Sequence, residues 1–148
     1  MLTKKRLHIK NVSVKDNGVY RCSARNEAGS RNSADNFALT VADLDDLTGS
    51  SFEPPLPPSK TRIVPEKAEF ELTCIPAVGI PPARVWWLDP RGHVVSDSGP
   101  VRVDETRLII EAARAADDTG NYTCVAENMA GTKMASFNLI VSSEYAAL

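Results

Sequence analysis

Apolar and polar residues alternate with a period of two in short runs along this chain, the spacing of strands buried on one face. Phe70, Leu72 and Cys74 alternate with Glu69, Glu71 and Thr73. Val85 and Trp87 share one parity, and Trp86 takes the other. Leu108 and Ile110 follow, then Tyr122, Cys124 and Ala126, then Ala135, Phe137, Leu139 and Val141. Short strands are also expected near Val94 and over 101–103. Asp89-Pro90-Arg91-Gly92 is a turn by residue type. The alanine-rich run 111–116 is read as a turn, because no segment keeps a helical spacing. Residues 60–143 thus predict a complete all-β domain with a short tail, 144–148.

The same pattern starts earlier. Leu7 and Ile9 alternate with polar neighbours and predict a short strand. Residues 12–18 form a turn that carries Asp16. Over 19–25, Tyr20, Cys22 and Ala24 share a face. A hairpin turn follows at 27–30, and Phe37, Leu39 and Val41 alternate on a last strand. Between the two stretches, 43–59 is acidic, then Gly/Ser-rich, then proline-rich from Pro54 to Pro58. Proline withholds a ladder donor and favours extended geometry, so 43–59 reads as a linker, semi-rigid at its proline end. A proline-rich ligand for another domain is the lesser alternative.

One motif occurs twice. Asp118, Gly120, Tyr122 and Cys124 read D-x-G-x-Y-x-C, and so do Asp16, Gly18, Tyr20 and Cys22. Residues 18–30 and 120–132 agree at seven of thirteen positions, at an offset of 102. That offset is the size of one two-sheet sandwich, and it is too long for a solenoid repeat. Taking it from Cys74 and Trp87 puts their counterparts at about −28 and −15, before Met1. Residues 1–42 are therefore expected to hold the last three strands of a domain whose first half lies upstream. A sheet that small is marginal by itself, so 1–42 is not expected to form a stable sandwich alone, and Cys22 is expected to be an unpaired thiol.

Composition narrows the function classes. The net charge of −2 supplies no electrostatic case for nucleic acid or an anionic membrane. No apolar run approaches the roughly 20 residues that span a bilayer. The first ten residues are basic without an apolar core, unlike a signal peptide. The three cysteines, Cys22, Cys74 and Cys124, are an odd number, which fits either unconnected buried thiols or one cysteine parted from its partner.

Cys74 and Cys124 stand 50 positions apart with Trp87 between them and D-x-G-x-Y-x-C around the second. With the N-x-A-G turns at 26–29 and 128–131, these residues resemble the immunoglobulin superfamily, intermediate set. The resemblance implies a Greek-key β-sandwich, one complete domain plus the C-terminal half of another. It implies a Cys74–Cys124 disulfide between opposite sheets, Trp87 packed against it, and tyrosine corners at Tyr122 and Tyr20. An Arg102–Asp118 salt bridge across the bottom of the sandwich is expected. From Cys74 the chain reads on through Pro76, Gly79, Ile80, Pro81, Ala83, Val85, Trp87 and Leu88. That segment is similar to the second immunoglobulin domain of repulsive netrin receptors of the uncoordinated-five type.

Further candidate sites are few. Asn11-Val12-Ser13 and Asn121-Tyr122-Thr123 are acceptor triplets for N-linked glycan, and Asn121 has outward parity. Trp86, also outward, is a candidate partner surface, against the blander reading that a neighbouring strand covers it. Lys4, Lys5 and Arg6 are a candidate glycosaminoglycan contact or a solvated strand start. His8 and His93 have no metal-ligand spacing around them. The Asp45-Asp46 and Asp117-Asp118 pairs are adjacent rather than facing across a cleft. No catalytic, metal or cofactor site is expected.

The resemblance implies a piece of a receptor ectodomain that binds a netrin-type protein ligand in axon guidance. It would stand outside the cell in a single-pass or secreted parent. A neural adhesion or secreted immunoglobulin protein, binding homophilically or heterophilically, is the alternative. An intracellular module of a muscle filament is the third reading, with its cysteines reduced.

Overall fold

The computed structural model describes residues 5–75 and 78–144. Lys4, Pro76 and the tail beyond 144 lie outside the described residues. The chain divides into two compact units, Met1–Asp43 and Leu44–Leu148.

The first unit has four short strands: β1 (Gly18–Tyr20), β2 (Ser23–Asn26), β3 (Gly29–Asn32) and β4 (Phe37–Leu39). β1 pairs with β4 and β2 with β3, each antiparallel. Two expectations need correction. Leu7 and Ile9 lie in no strand, and the single strand expected over 19–25 is broken at Arg21 and Cys22. At the break, the Ser33 amide still donates to the Cys22 carbonyl, but the Cys22 amide donates to the Ser33 hydroxyl, so a side chain takes the place of one backbone acceptor. No described residue of this unit is buried; Leu7, Val19 and Phe37 are all exposed. Cys22 is exposed and carries no disulfide. An apolar face with no second layer among the described residues lacks the burial that would hold Leu7 and Ile9 in a ladder.

β5 (Asp43–Leu44) straddles the division. The second unit contains β6 (Phe52–Glu53), β7 (Thr61–Pro65), β8 (Phe70–Cys74), β9 (Gly79–Ile80), β10 (Arg84–Leu88), β11 (Val101–Asp104), β12 (Arg107–Ile110), α1 (Ala115–Asp118), β13 (Gly120–Asn128) and β14 (Gly131–Ser142). One sheet runs β10-β13-β14-β7, with β7 parallel to β14; the other runs β11-β12-β8-β6, all antiparallel. This is the expected all-β sandwich of two sheets. The run 111–116, read as a turn, ends in the single helical turn α1.

The residues predicted inward from each sheet meet in one core. Trp87, Leu72, Leu108, Ile110, Tyr122, Phe137 and Leu139 are buried in it. Trp87 and Phe137 meet edge to face with centroids 5.9 Å apart, and Tyr122 stacks on Phe137 at 5.7 Å. The Trp87 indole N–H donates to the Thr106 carbonyl at 2.9 Å, so the buried ring leaves no polar atom unpaired.

The linker expectation also needs correction. Much of 43–59 is built into the sandwich. Leu44, Leu47 and Phe52 are buried, and Leu56 packs against the core. β6 pairs Phe52 with Cys74 and Glu53 with Thr73, and the Ile75 amide donates to the Ser51 carbonyl at 2.7 Å. Composition misled because proline is also tolerated on edge strands, where its missing N–H faces no neighbour. β6 is such an edge, and the prolines start directly after it.

Candidate functional site

Two regions of the second unit collect the polar and aromatic residues singled out above. The first is the bottom of the sandwich. Arg114 is the N-cap of α1, and its amide and Nε both donate to Asp118 Oδ2, at 2.8 and 3.5 Å. Arg114 Nη1 lies 3.1 Å from Asp117. Asp118 is only 3% exposed, yet it is satisfied by this cap. The hydrogen bond and charge of Asp118 raise the pKa of the Arg114 guanidinium. The expected Arg102–Asp118 pair is thus replaced. Arg102 pairs instead with Glu111. Arg102 sits opposite Ile109 in the β11–β12 register, so Glu111 is its diagonal neighbour on the same face. Asp118, meanwhile, is held from four residues away within its own turn.

The same turn anchors the tyrosine. The Tyr122 hydroxyl donates to the Asp118 carbonyl at 2.9 Å, and the Tyr20 hydroxyl donates to the Asp16 carbonyl at 2.7 Å. The motif therefore makes one corner twice, buried in the second unit and half-buried in the first. Gly120 has φ +145°, and a Cβ there would meet Pro90 at 2.6 Å, so the motif glycine is required on both counts.

Burial, with the charges of Asp118 and Asp89, pushes the Tyr122 phenol well above the ordinary tyrosine range. A raised native pKa means that the unfolded chain loses its proton first as the pH climbs. Stability is then fully present below about pH 10 and falls above it. Tyr122→Phe is expected to cost about 1 kcal/mol at neutral pH for the lost hydrogen bond and to flatten the alkaline decline. Urea denaturation of both forms from neutral to alkaline pH measures this.

The second region is the outer face of β10, β13 and β14. Three rows cross it: Trp86–Val125–Met134, Leu88–Thr123–Ser136 and Arg84–Glu127–Thr132. A fourth pair, Asn121–Asn138, lies at the end of β13. Trp86 is half-buried, and the Arg84 guanidinium lies 5.2 Å from its ring centroid. Such a contact is worth roughly 0.5–1 kcal/mol near the surface. Val125 is buried in the middle of its row, while Met134 is 60% exposed. Parity alone marked Trp86. Val125 and Met134 share that parity, but only the strand register shows that they extend it into an apolar row.

The remaining candidates are scattered. Asn11 and Asn121 are exposed, in different units. Lys5 and Arg6 are exposed and lie in no strand. Cys74 and Cys124 are joined by a disulfide with Cα atoms 6.4 Å apart, and both are buried. No group of three or more His, Cys, Asp or Glu among the described residues is placed to hold a metal ion.

A family model described as "Immunoglobulin domain" matches residues 54–128, more than half of the chain. The chain belongs to the immunoglobulin-domain family. An "Immunoglobulin I-set domain" model also matches residues 2–41 in the first unit. Human hemicentin-1 is 38% identical over 128 residues, covering 84% of this chain and 2% of hemicentin-1. Human leucine-rich repeats and immunoglobulin-like domains protein 1 is 32% identical over 141 residues, covering 90% of this chain and 11% of the relative. This immunoglobulin chain therefore spans a small fraction of the length of these relatives. Among solved structures, the N-terminal four immunoglobulin domains of Dscam1 isoform 6.9 match with a TM-score of 0.59 and 26% identity, covering 90% of this chain and 30% of that one. The titin I-band fragment I67–I69 matches equally, with a TM-score of 0.59 and 26% identity, covering 88% and 43%. No helix among the described residues is long and apolar enough to cross a membrane.

Proposed function

We propose that this immunoglobulin chain is part of the extracellular, protein-binding region of a cell-surface or adhesion protein, and that its partner docks on the outer face of β10, β13 and β14. The observation that carries the reading is the Trp86–Val125–Met134 row with Arg84 over the indole. Tryptophan and arginine are enriched among residues that dominate binding energy, and an aromatic on a flat sheet presents a large area at low entropic cost. The narrower reading, a receptor for a netrin-type ligand in axon guidance, is supported chiefly by the sequence of segment 74–88. A glycosaminoglycan contact at Lys5 and Arg6 belongs to the same reading, as an accessory to protein binding.

Two assays separate the partners: binding of netrin to the immobilised chain, and self-association by analytical ultracentrifugation. Trp86→Ala is expected to weaken whichever interaction is found by about 2 kcal/mol, or roughly 30-fold, and to lower stability by only about 1 kcal/mol through the lost Arg84 contact, so that the chain stays folded under the assay conditions. Equal affinity of the Trp86→Ala and parent chains would remove this face from the reading.

The titin match supports a second reading, an intracellular filament module. A reducing compartment would keep Cys74 and Cys124 as thiols. Differential alkylation of protein taken from its native source, read by mass spectrometry, distinguishes the two.

A further inference from the structure

The eight asparagines fall into two groups. Five have work for their carboxamides. The side-chain oxygen of Asn17 accepts from the Val41 amide, that of Asn26 from the Ala28 amide, that of Asn32 from the Ser23 hydroxyl and that of Asn36 from Arg21 Nε. Asn128 donates to the Pro81 carbonyl and accepts from the Ala130 amide. The other three, Asn11, Asn121 and Asn138, make no side-chain hydrogen bond among the described residues. Two of those three head an N-x-S/T triplet.

We propose that Asn121 is a site of N-linked glycosylation. It lies next to the start of β13 and is exposed, with Tyr122 turned into the core beside it. A substituent on its nitrogen therefore leaves the sandwich without displacing a packed atom or breaking a hydrogen bond. Its cross-strand partner is Asn138, and the next row on the same face is Thr123 and Ser136, whose hydroxyls bond each other at 2.7 Å. The sugar would thus stand on the polar end of the outer face. Trp86 and Val125 lie two rows further on, before the Arg84–Glu127–Thr132 row that ends the face, with Val125 four residues along β13 from Asn121, about 13 Å at strand spacing. The glycan and the apolar row divide the face between them.

In the transfer, Asn121 Nδ2 attacks C1 of the first N-acetylglucosamine of a lipid-pyrophosphate-linked oligosaccharide. The N–C1 bond forms and the C1–O bond to the pyrophosphate breaks. One amide proton is released, and the lipid pyrophosphate leaves with the electron pair. The acceptor is the extended chain before folding, so the later engagement of the Thr123 hydroxyl does not hinder the step.

The inference rests on the extracellular reading above. Its test is expression of the full chain behind a secretory leader in mammalian cells, with medium and lysate both analysed. After reduction, peptide-N-glycosidase and trypsin, peptide 115–133 is expected to carry aspartate in place of Asn121, which separates this site from Asn11. Asn121→Gln and Thr123→Ala are each expected to remove one glycan from the intact mass. Thr123→Ser, which keeps the hydroxyl, is expected to retain it. Unmodified Asn121 in both fractions, or an intact mass unchanged in Asn121→Gln, overturns the proposal. Neither result bears on the compartment, which the thiol state of Cys74 and Cys124 in native protein reports independently.

Discussion

Replacing Phe52 by alanine is expected to destabilise the second unit by about 3–5 kcal/mol, the range for removing a large buried aromatic. Phe52 is 1% exposed, and its ring centroid lies 5.9 Å from that of Trp87. A domain of this size has only about 5–15 kcal/mol of net stability, so the loss is a large fraction of the total. At roughly 4–8 °C per kcal/mol, the midpoint should fall by more than about 12 °C. If 43–59 were a solvated linker, the same substitution would change stability by no more than about 0.5 kcal/mol. Both tryptophans of the chain lie in the second unit. Thermal unfolding followed by tryptophan fluorescence therefore reads that unit alone. An unchanged midpoint would overturn the assignment of β6 to the sandwich.

Removing the disulfide should be of similar size. Cys74 and Cys124 close a loop with a separation of 50. Cross-linking a loop of that length restricts the unfolded chain by about 4 kcal/mol on the chain-entropy model, and loss of native disulfides costs roughly 2–5 kcal/mol in small secreted domains. Cys74→Ala with Cys124→Ala is expected to lower the urea midpoint by a corresponding amount while retaining the β-sheet signature at low temperature. The paired substitution avoids leaving a single buried thiol. Reduction of the parent chain should reproduce the shift. A double variant with the parent's midpoint would show that the bridge adds nothing to folding.

These three residues differ in how plainly the chain announces them. Cys74 and Cys124 are legible because period-two alternation sets their parity, and because Trp87 between them and the motif around Cys124 resemble the immunoglobulin pattern, which implies the bridge. The register then places Trp87 directly opposite Cys124. Phe52 is hidden by its neighbours. It stands between a Gly/Ser run and four prolines, and composition outweighs a single aromatic. Only pairing with β8 shows that it belongs to an edge strand.

The candidate sites divide in the same way. Asn121 and Trp86 were placed outward by parity, a local property that needs no partner. The partner of Asp118 was not. The three nearest arginines before it are Arg102, Arg107 and Arg114, and choosing among them depends on where the chain turns. α1 brings Arg114 back onto Asp118, while the β11–β12 register sends Arg102 to Glu111. Likewise, Val125 and Met134 have unremarkable surroundings in one dimension. They join Trp86 only when three strands lie side by side.

By itself, then, the sequence determined the all-β class, the inward and outward faces of each long strand, and the repeated corner that ends in Tyr20 and Tyr122. Those follow from backbone period and from bonds made within a few residues. The tertiary structure decided what depends on distant partners. It drew Leu44, Leu47, Phe52 and Leu56 into the sandwich, gave Asp118 to Arg114 and broke the strand expected over 19–25 at Arg21 and Cys22. It also laid out the outer face, with Asn121 at one end and Trp86 two rows further along. Burial and register are properties of packed strands, and alternation along one strand does not encode which neighbour it will meet.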